Sequence, residues 1–196
     1  YVILLNNDTE VLNANWLTQM LGWAKQPEVG AVGVKLLFPN DTIQHAGVVM
    51  GLNGIAGHFL NCQYQDSGIY WHTLNGSTNY SAVTAACFMV AKSKYTQVGG
   101  FDEELAVEFN DVDFCLKLGK AGYRNIYTPE VVLYHYESIS RGHPHKTKES
   151  YQRHLKEIGL FKQRWEYEIK VDPYYNPHLS RVHSDAKLRV KEEVIL

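Results

Sequence analysis

An α/β fold, a mixed and largely parallel sheet flanked by helices, is predicted by three features of the chain. Short uninterrupted apolar runs at 1–5, 29–34 and 83–90 are bounded by turn formers, as buried strands are. Segments with helical spacing at 15–24, 111–120 and 151–164 fall between or after them. Strand and helix therefore alternate, which lays strands side by side with helices on the sheet faces.

Taken in order, residues 1–5 read as a fully buried strand that stops abruptly at Asn6-Asn7-Asp8. In 15–24, Trp16, Met20 and Trp23 share a helix face, Asn15 is placed to cap it, and Pro27 ends it. The run 29–34 is the next buried strand. Residues 38–80 are rich in Gly, Asn, Ser, Tyr and His and read as an irregular insertion with a hairpin around 48–50. A buried strand follows at 83–90, then a helix at 111–120 closed by Gly122. Residues 126–127 and 131–134 predict a final pair of strands, and 151–164 a helix. A turn-rich segment at 172–177 and a charged tail complete the chain. The expected division is a main part at 1–145 and a helical, turn-rich C-terminal extension at 146–196.

Composition narrows the function classes. The 196 residues are 45% hydrophobic and 20% charged, ordinary for a globular protein, and the net charge of -2 argues against nucleic acid as a partner. Cys62, Cys87 and Cys115 form no CxxC pair, so neither zinc knuckle nor disulfide framework is predicted. Cys87 and Cys115 read as buried thiols of a cytosolic protein. The longest apolar run, 85–91, is far too short to cross a membrane, and no signal peptide is visible. The expectation is a soluble, cytoplasmic chain that could still work at a membrane surface.

Three constellations could carry chemistry. Asp8 follows the first strand's carboxyl end, where ligands of open α/β sheets bind. Such a residue either closes a turn or helps to hold a hard divalent cation. Asp111 and Asp113 fall in the first turn of a helix, where capping is the plain role. Asp113 is the favoured cap, leaving Asp111 as a general base if it faces a cleft. Gly99-Gly100 before Phe101-Asp102 allows close backbone approach. His135 ends the last strand, and 138–145 reads as a loop with Arg141 available to a phosphate. His143 and His145 match no zinc spacing. In the insertion, Tyr64, Tyr70, Trp71 and His72 suit either stacking on sugar rings or covering the core.

Four stretches, LLNNDTEV (4–11), VTAACFMVAKSKYTQVGGFDEEL (83–105), FNDVDFCLKLGKAGYRNIYTPEVVLYHYESISRG (109–142) and DPYYNPHLS (172–180), occur in one order. In that order the chain resembles the inverting family 2 glycosyltransferases of GT-A fold, nearest the bacterial transferases that add sugars such as rhamnose to cell-surface polysaccharides. The resemblance implies a partial GT-A, Rossmann-like sheet, a C-terminal portion without the N-terminal nucleotide-binding half. It implies transfer, with inversion, from a nucleotide-diphosphate sugar to a saccharide or lipid-linked saccharide acceptor. By position, Asp8 of the DxD-type motif and His135 would hold Mn²⁺ or Mg²⁺, and Asp111 of the "ED" motif would be the catalytic base. Asn6, Asn7, Ser138 and Arg141 would contact the donor, and Gly99, Gly100, Phe101 and Asp102 the acceptor. Two amides depart from the pattern: Asn6 opens the DxD-type motif and Asn110 precedes the base. An uncovered sheet edge would favour association between copies. Rival readings are a non-catalytic carbohydrate- or nucleotide-binding module, a metal-dependent hydrolase, and a structural domain whose polar residues are all caps. The tail from Asp172 onward either packs back on the sheet or faces a membrane-bound acceptor.

Overall fold

Strand β3, Val29–Leu37, is the axis of the sheet, and all nine of its residues are buried. A computed structural model describes residues 1–65, 71–136 and 147–190 of the chain. Around β3 the elements run β1 (Val2–Leu5), β2 (Thr9–Val11), α1 (Trp16–Ala24), β3, β4 (Ile43–His45), β5 (Val48–Met50), a 3-10 turn (Leu52–Gly54) and β6 (Ala56–His58). They continue with α2 (Trp71–Asn75), β7 (Thr78–Tyr80), β8 (Cys87–Val90), α3 (Lys92–Gln97), α4 (Asn110–Lys120), β9 (Arg124–His135), α5 (Lys148–Arg164) and α6 (Glu166–Lys170). The main sheet has the order β1-β8-β3-β9-β2, with β4 against β3 and β7 against β9. A separate hairpin joins β5 to β6, within the segment where the sequence predicts one.

Two cores lie on opposite faces of this mixed sheet, because successive side chains of a strand point opposite ways. Val32, Val34 and Leu36 pack with Met20 and Ala24 of α1 and with Cys87, Met89 and Leu133. Ala31 and Leu37 belong to the larger core with Phe88, Phe114, Cys115 and Phe161. Phe88 and Phe114 stack at 5.7 Å, and each such fully buried ring contributes about 1.5–3 kcal/mol through removal from water.

Several expectations need correction. The sheet is not largely parallel: β3–β9 is the one parallel pair among the described strands. Alternation of strand and helix does not fix direction, and the long insertion returns the chain so that β8 enters antiparallel to β3. Strand β1 is not fully buried either. It is an edge strand, half-buried along Val2–Leu4 and 45% exposed at Leu5. A continuous apolar run cannot by itself tell burial on two faces from a place at the sheet's edge.

Residues 83–86 are loop rather than strand. They cross over β3 at Gly33, where a Cβ would stand 2.5 Å from the Val83 Cβ, so only glycine admits the crossing. The two strands expected at 126–127 and 131–134 are one strand, β9. Its register against β3 jumps between Val34↔Thr128 and Lys35↔Val132, and the residues skipped include Pro129. A bulge of that kind keeps a residue without an N–H off the ladder.

The insertion is irregular but deeply placed, with residues 42–52 all buried. The tail packs on it. Asp172 accepts hydrogen bonds from Met50 N (2.6 Å), Ser81 Oγ (2.9 Å) and Tyr174 N (2.8 Å), while Asn53 N donates to Arg181 O and Leu60 N to Ser184 O. Burial nevertheless pushes the Asp172 carboxyl above its ordinary value. Cys87 and Cys115 are buried thiols and Cys62 is exposed. No helix of the described residues is long and apolar enough to cross a membrane.

His45 lies at the centre of the insertion, fully buried, with Nδ1 3.3 Å from His58 Nδ1. Burial, and secondarily His58, hold its imidazole well below the ordinary 6.5. The unfolded chain therefore takes up a proton near that pH that the folded chain refuses. Stability from this group is complete above pH 6.5 and is lost as pH falls below it. Urea unfolding between pH 7 and 5.5 should show a loss approaching about 1.4 kcal/mol per pH unit. His45→Gln should flatten that slope, and an equally steep profile in the variant would refute the assignment.

Candidate active site at the carboxyl ends of the strands

Strand β1 runs antiparallel to β8, β8 antiparallel to β3, and β3 parallel to β9, so β1, β3 and β9 all end on the same side of the sheet. After Leu5 the chain must travel from one edge of the sheet to β2 on the far side of β9. Asn6-Asn7-Asp8 is that crossing. Asn6 N donates to Ala86 O at 2.9 Å at the start of it, and Tyr136 N donates to Asp8 O at 2.9 Å at its end. Thr9 then pairs with His135 in β2. The two amides and the carboxylate stand where the backbone leaves the ladder and bridges the strand ends.

The crossing brings Asp8 to His135. Asp8 Oδ1 lies 3.2 Å from His135 Nε2, and the turn is closed instead by the Thr9 hydroxyl donating to Asn6 O at 2.7 Å. His135 is 7% exposed, and its Nδ1 stands 2.6 Å from Gln44 Oε1. An amide oxygen there requires the ring proton on Nδ1. Nε2 then faces Asn6 Nδ2 at 3.2 Å as well as Asp8, and a neutral ring turns its lone pair there. Gln44 is the partner that sequence reasoning missed. Its one signal is a polar residue inside the apolar strand β4, an amide at 3% exposure. Asn7 is exposed.

This donor set fits a divalent cation. One imidazole nitrogen and one carboxylate oxygen are two of the six or so ligands such an ion takes, and no group of three or more His, Cys, Asp or Glu gathers among the described residues. Asp8 and His135 by themselves would leave such a cation with positions open to water or a bound phosphate. The Gln44 contact favours a ring protonated on Nδ1, the tautomer that would offer Nε2 to a metal.

Asp111 joins the same region through the 83–86 loop. Its Oδ2 accepts from Ala85 N and its Oδ1 from Val112 N, both at 2.9 Å, and Ala86 is the residue whose carbonyl holds Asn6. Asn110 Oδ1 accepts from Asp111 N at 2.7 Å. The expected division of labour between the two aspartates is corrected here. Asp113 is no cap: it is fully buried, its Oδ1 accepting from Arg164 Nη1 (2.8 Å) and Trp165 Nε1 (2.9 Å), with Lys117 Nζ 3.1 Å from Oδ2. In the first turn of α4 it is Asp111 that binds backbone N–H groups. The 3.6-residue repeat puts the two side chains on different faces, one toward the loop and one toward α5.

The remaining candidates divide. Gly99 and Gly100 have φ of +81° and +66°, conformations glycine allows. Phe101 packs edge-on against Phe88 and Tyr95, and Asp102 accepts from Glu104 N and pairs with Arg164 at 2.7 Å, which in that order hold its carboxyl below the usual range. These contacts tie the segment to β8, α3 and α5. Ser138 and Arg141 lie outside the described residues, as do Tyr70, His143, His145 and the side chain of Trp71. Tyr64 is 70% exposed and lines an open cavity of about 580 Å³ with Phe38, Pro39, Asn40, Thr42 and Cys62. That cavity adjoins the strand ends, since Leu37 pairs with Tyr134 and the Tyr134 hydroxyl donates to Asp41 at 2.5 Å.

No family model matches the chain. It is 45% identical over 185 residues to an uncharacterized protein, y4gI, of Sinorhizobium fredii, covering 94% of this chain and 20% of that one. It is 39% identical over 190 residues to the O-antigen biosynthesis protein RfbC of Myxococcus xanthus, covering 96% and 14%. With the N-acetylglucosaminyl-diphospho-decaprenol L-rhamnosyltransferase of Mycobacterium tuberculosis it shares 27% over 126 residues, 61% of this chain and 41% of that one. The chain spans a fifth or less of the first two relatives. It is thus similar to proteins named for O-antigen biosynthesis and for rhamnosyl transfer.

Proposed function

We propose that this chain is the metal- and acceptor-binding part of an inverting, family 2, GT-A glycosyltransferase. The sugar passes from a nucleotide-diphosphate donor to a saccharide or lipid-linked saccharide, in the synthesis of a cell-surface polysaccharide. The observation that carries the reading is the facing of Asp8 and His135 at 3.2 Å, on the same strand-end crossing to which Asp111 is tied. The names of the O-antigen and rhamnosyltransferase relatives support the substrate class.

In this mechanism Asp8 and His135 are the residues that would hold a Mn²⁺ or Mg²⁺ ion for the donor diphosphate. Mn²⁺ is the better match, because imidazole nitrogen is a poor ligand for Mg²⁺. The ion's chemistry is to neutralise charge developing on the leaving diphosphate. Gln44 keeps the His135 lone pair aimed at the site, and Asn6 offers its amide to the donor. Asp111 takes the proton of the attacking acceptor hydroxyl, which approaches C1 opposite the leaving group, so the product anomer is inverted. Two backbone N–H bonds fix the Asp111 carboxylate before the acceptor arrives, and each oxygen keeps a further lone pair for the proton.

Calorimetric titration of the chain with a nucleoside diphosphate, with and without Mn²⁺, tests the site. Binding should require the metal and be abolished by Asp8→Ala. Equal affinity without metal, or in the variant, would remove the cation from the proposal.

A further inference from the structure

Residues 106–109 form no helix or strand, yet they set the position of Asp111 two residues on. Left alone such a segment would wander. Phe109 sits at φ +58°, a left-handed conformation unfavourable for a non-glycine residue, so something must hold it. The holder is α5. Glu157, 1% exposed, accepts at Oε2 from Glu108 N (2.6 Å) and Val107 N (3.2 Å). His154 Nδ1 lies 3.0 Å from Glu108 Oε1, and the Phe161 ring stacks on Phe109 at 4.7 Å. Arg164 reaches Asp102 and Asp113, on either side of the segment.

His154, Glu157, Phe161 and Arg164 recur at helical spacing and make one stripe of α5. An apolar residue at 157 would dock the helix as well, and without the desolvation cost of a buried carboxylate. A carboxylate does what an apolar group cannot: it collects two adjacent backbone N–H groups and fixes the chain carrying them.

We propose that Glu157 is a positioning residue for Asp111, acting through Val107–Phe109, so that α5 belongs to the active site without touching substrate. The inference rests on Asp111 being the base and goes beyond that assignment by naming what sets its geometry. The line of contact runs from Glu157 to Glu108, along the chain to Asp111, and from Asp111 Oδ2 to Ala85 N.

Residue-level amide exchange and sugar-transfer kinetics on the full-length protein, with Glu157→Ala and Glu157→Gln, test it. In Glu157→Ala, exchange at Val107, Glu108 and Ala85 should accelerate about tenfold or more, while Val32, Val34 and Phe88 in the sheet keep their rates. kcat should fall about a hundredfold with the donor KM little changed, because a misplaced base costs rate rather than binding. Glu157→Gln retains an acceptor oxygen and should restore protection at Glu108 and most of kcat. Unchanged exchange at Ala85, acceleration spread uniformly through the sheet, or an unchanged kcat would each overturn the proposal. A native protein without transferase activity would instead remove the functional reading, and exchange at Ala85 would still decide the positioning role.

Discussion

Asp111→Asn in the full-length protein should lower sugar transfer by about 10²- to 10⁴-fold, the range a positioned general base supplies. Asparagine matches aspartate in shape but has one oxygen where aspartate has two. Asp111 uses both, one toward Ala85 N and one toward Val112 N. The variant amide must therefore turn its NH2 toward one of those N–H groups, a mismatch worth about 1–3 kcal/mol of stability. Calorimetric binding of nucleoside diphosphate with Mn²⁺ is the control that separates lost chemistry from lost fold. It should survive, because in the proposed site Asp8 and His135, not Asp111, would hold the ion. Transfer near the native rate would eliminate Asp111 as the base. Lost binding together with lost transfer would make Asp111 part of the donor site.

What the sequence makes legible is local in character. The crossing at Asn6-Asn7-Asp8 is visible because an apolar run ends where ligands bind, and β3, α1 and α4 follow from patterns contained within one element. What it conceals depends on partners far along the chain. Gln44 and Glu157 belong to no motif, and each acts on a residue roughly 50 to 90 positions away. The crossing of 83–86 over Gly33 is a steric fact between two segments that both look like strands. Likewise β9 reads as two pieces because Pro129 breaks the pattern, while the sheet absorbs the break as a bulge. Strand direction and edge position are likewise set by how the insertion folds, which an irregular composition does not reveal.

The two aspartates of α4 show how magnitude separates roles that residue type leaves open. If Asp113 were a cap, Asp113→Ala would cost about 1 kcal/mol. As the structure has it, the substitution takes one partner from Arg164 and from Lys117, which keep Asp102 and Gly100 O, and leaves the buried Trp165 Nε1 without an acceptor. One-sided removal of a buried ion pair costs about 3–5 kcal/mol. The lower end applies, since the Arg164 and Lys117 side chains keep 29% and 24% exposure and regain some water. About 3 kcal/mol in a protein of this size lowers Tm by roughly 6–12 °C, against roughly 2–4 °C for a lost cap. Thermal unfolding distinguishes the two outcomes directly. A double-mutant cycle with Arg164→Met locates the cause: if the ion pair dominates, the double variant should be more stable than the sum of the single losses by more than about 1 kcal/mol. Strict additivity would mean that Arg164 serves only Asp102, and that Asp113 is held by Trp165 and Lys117 alone.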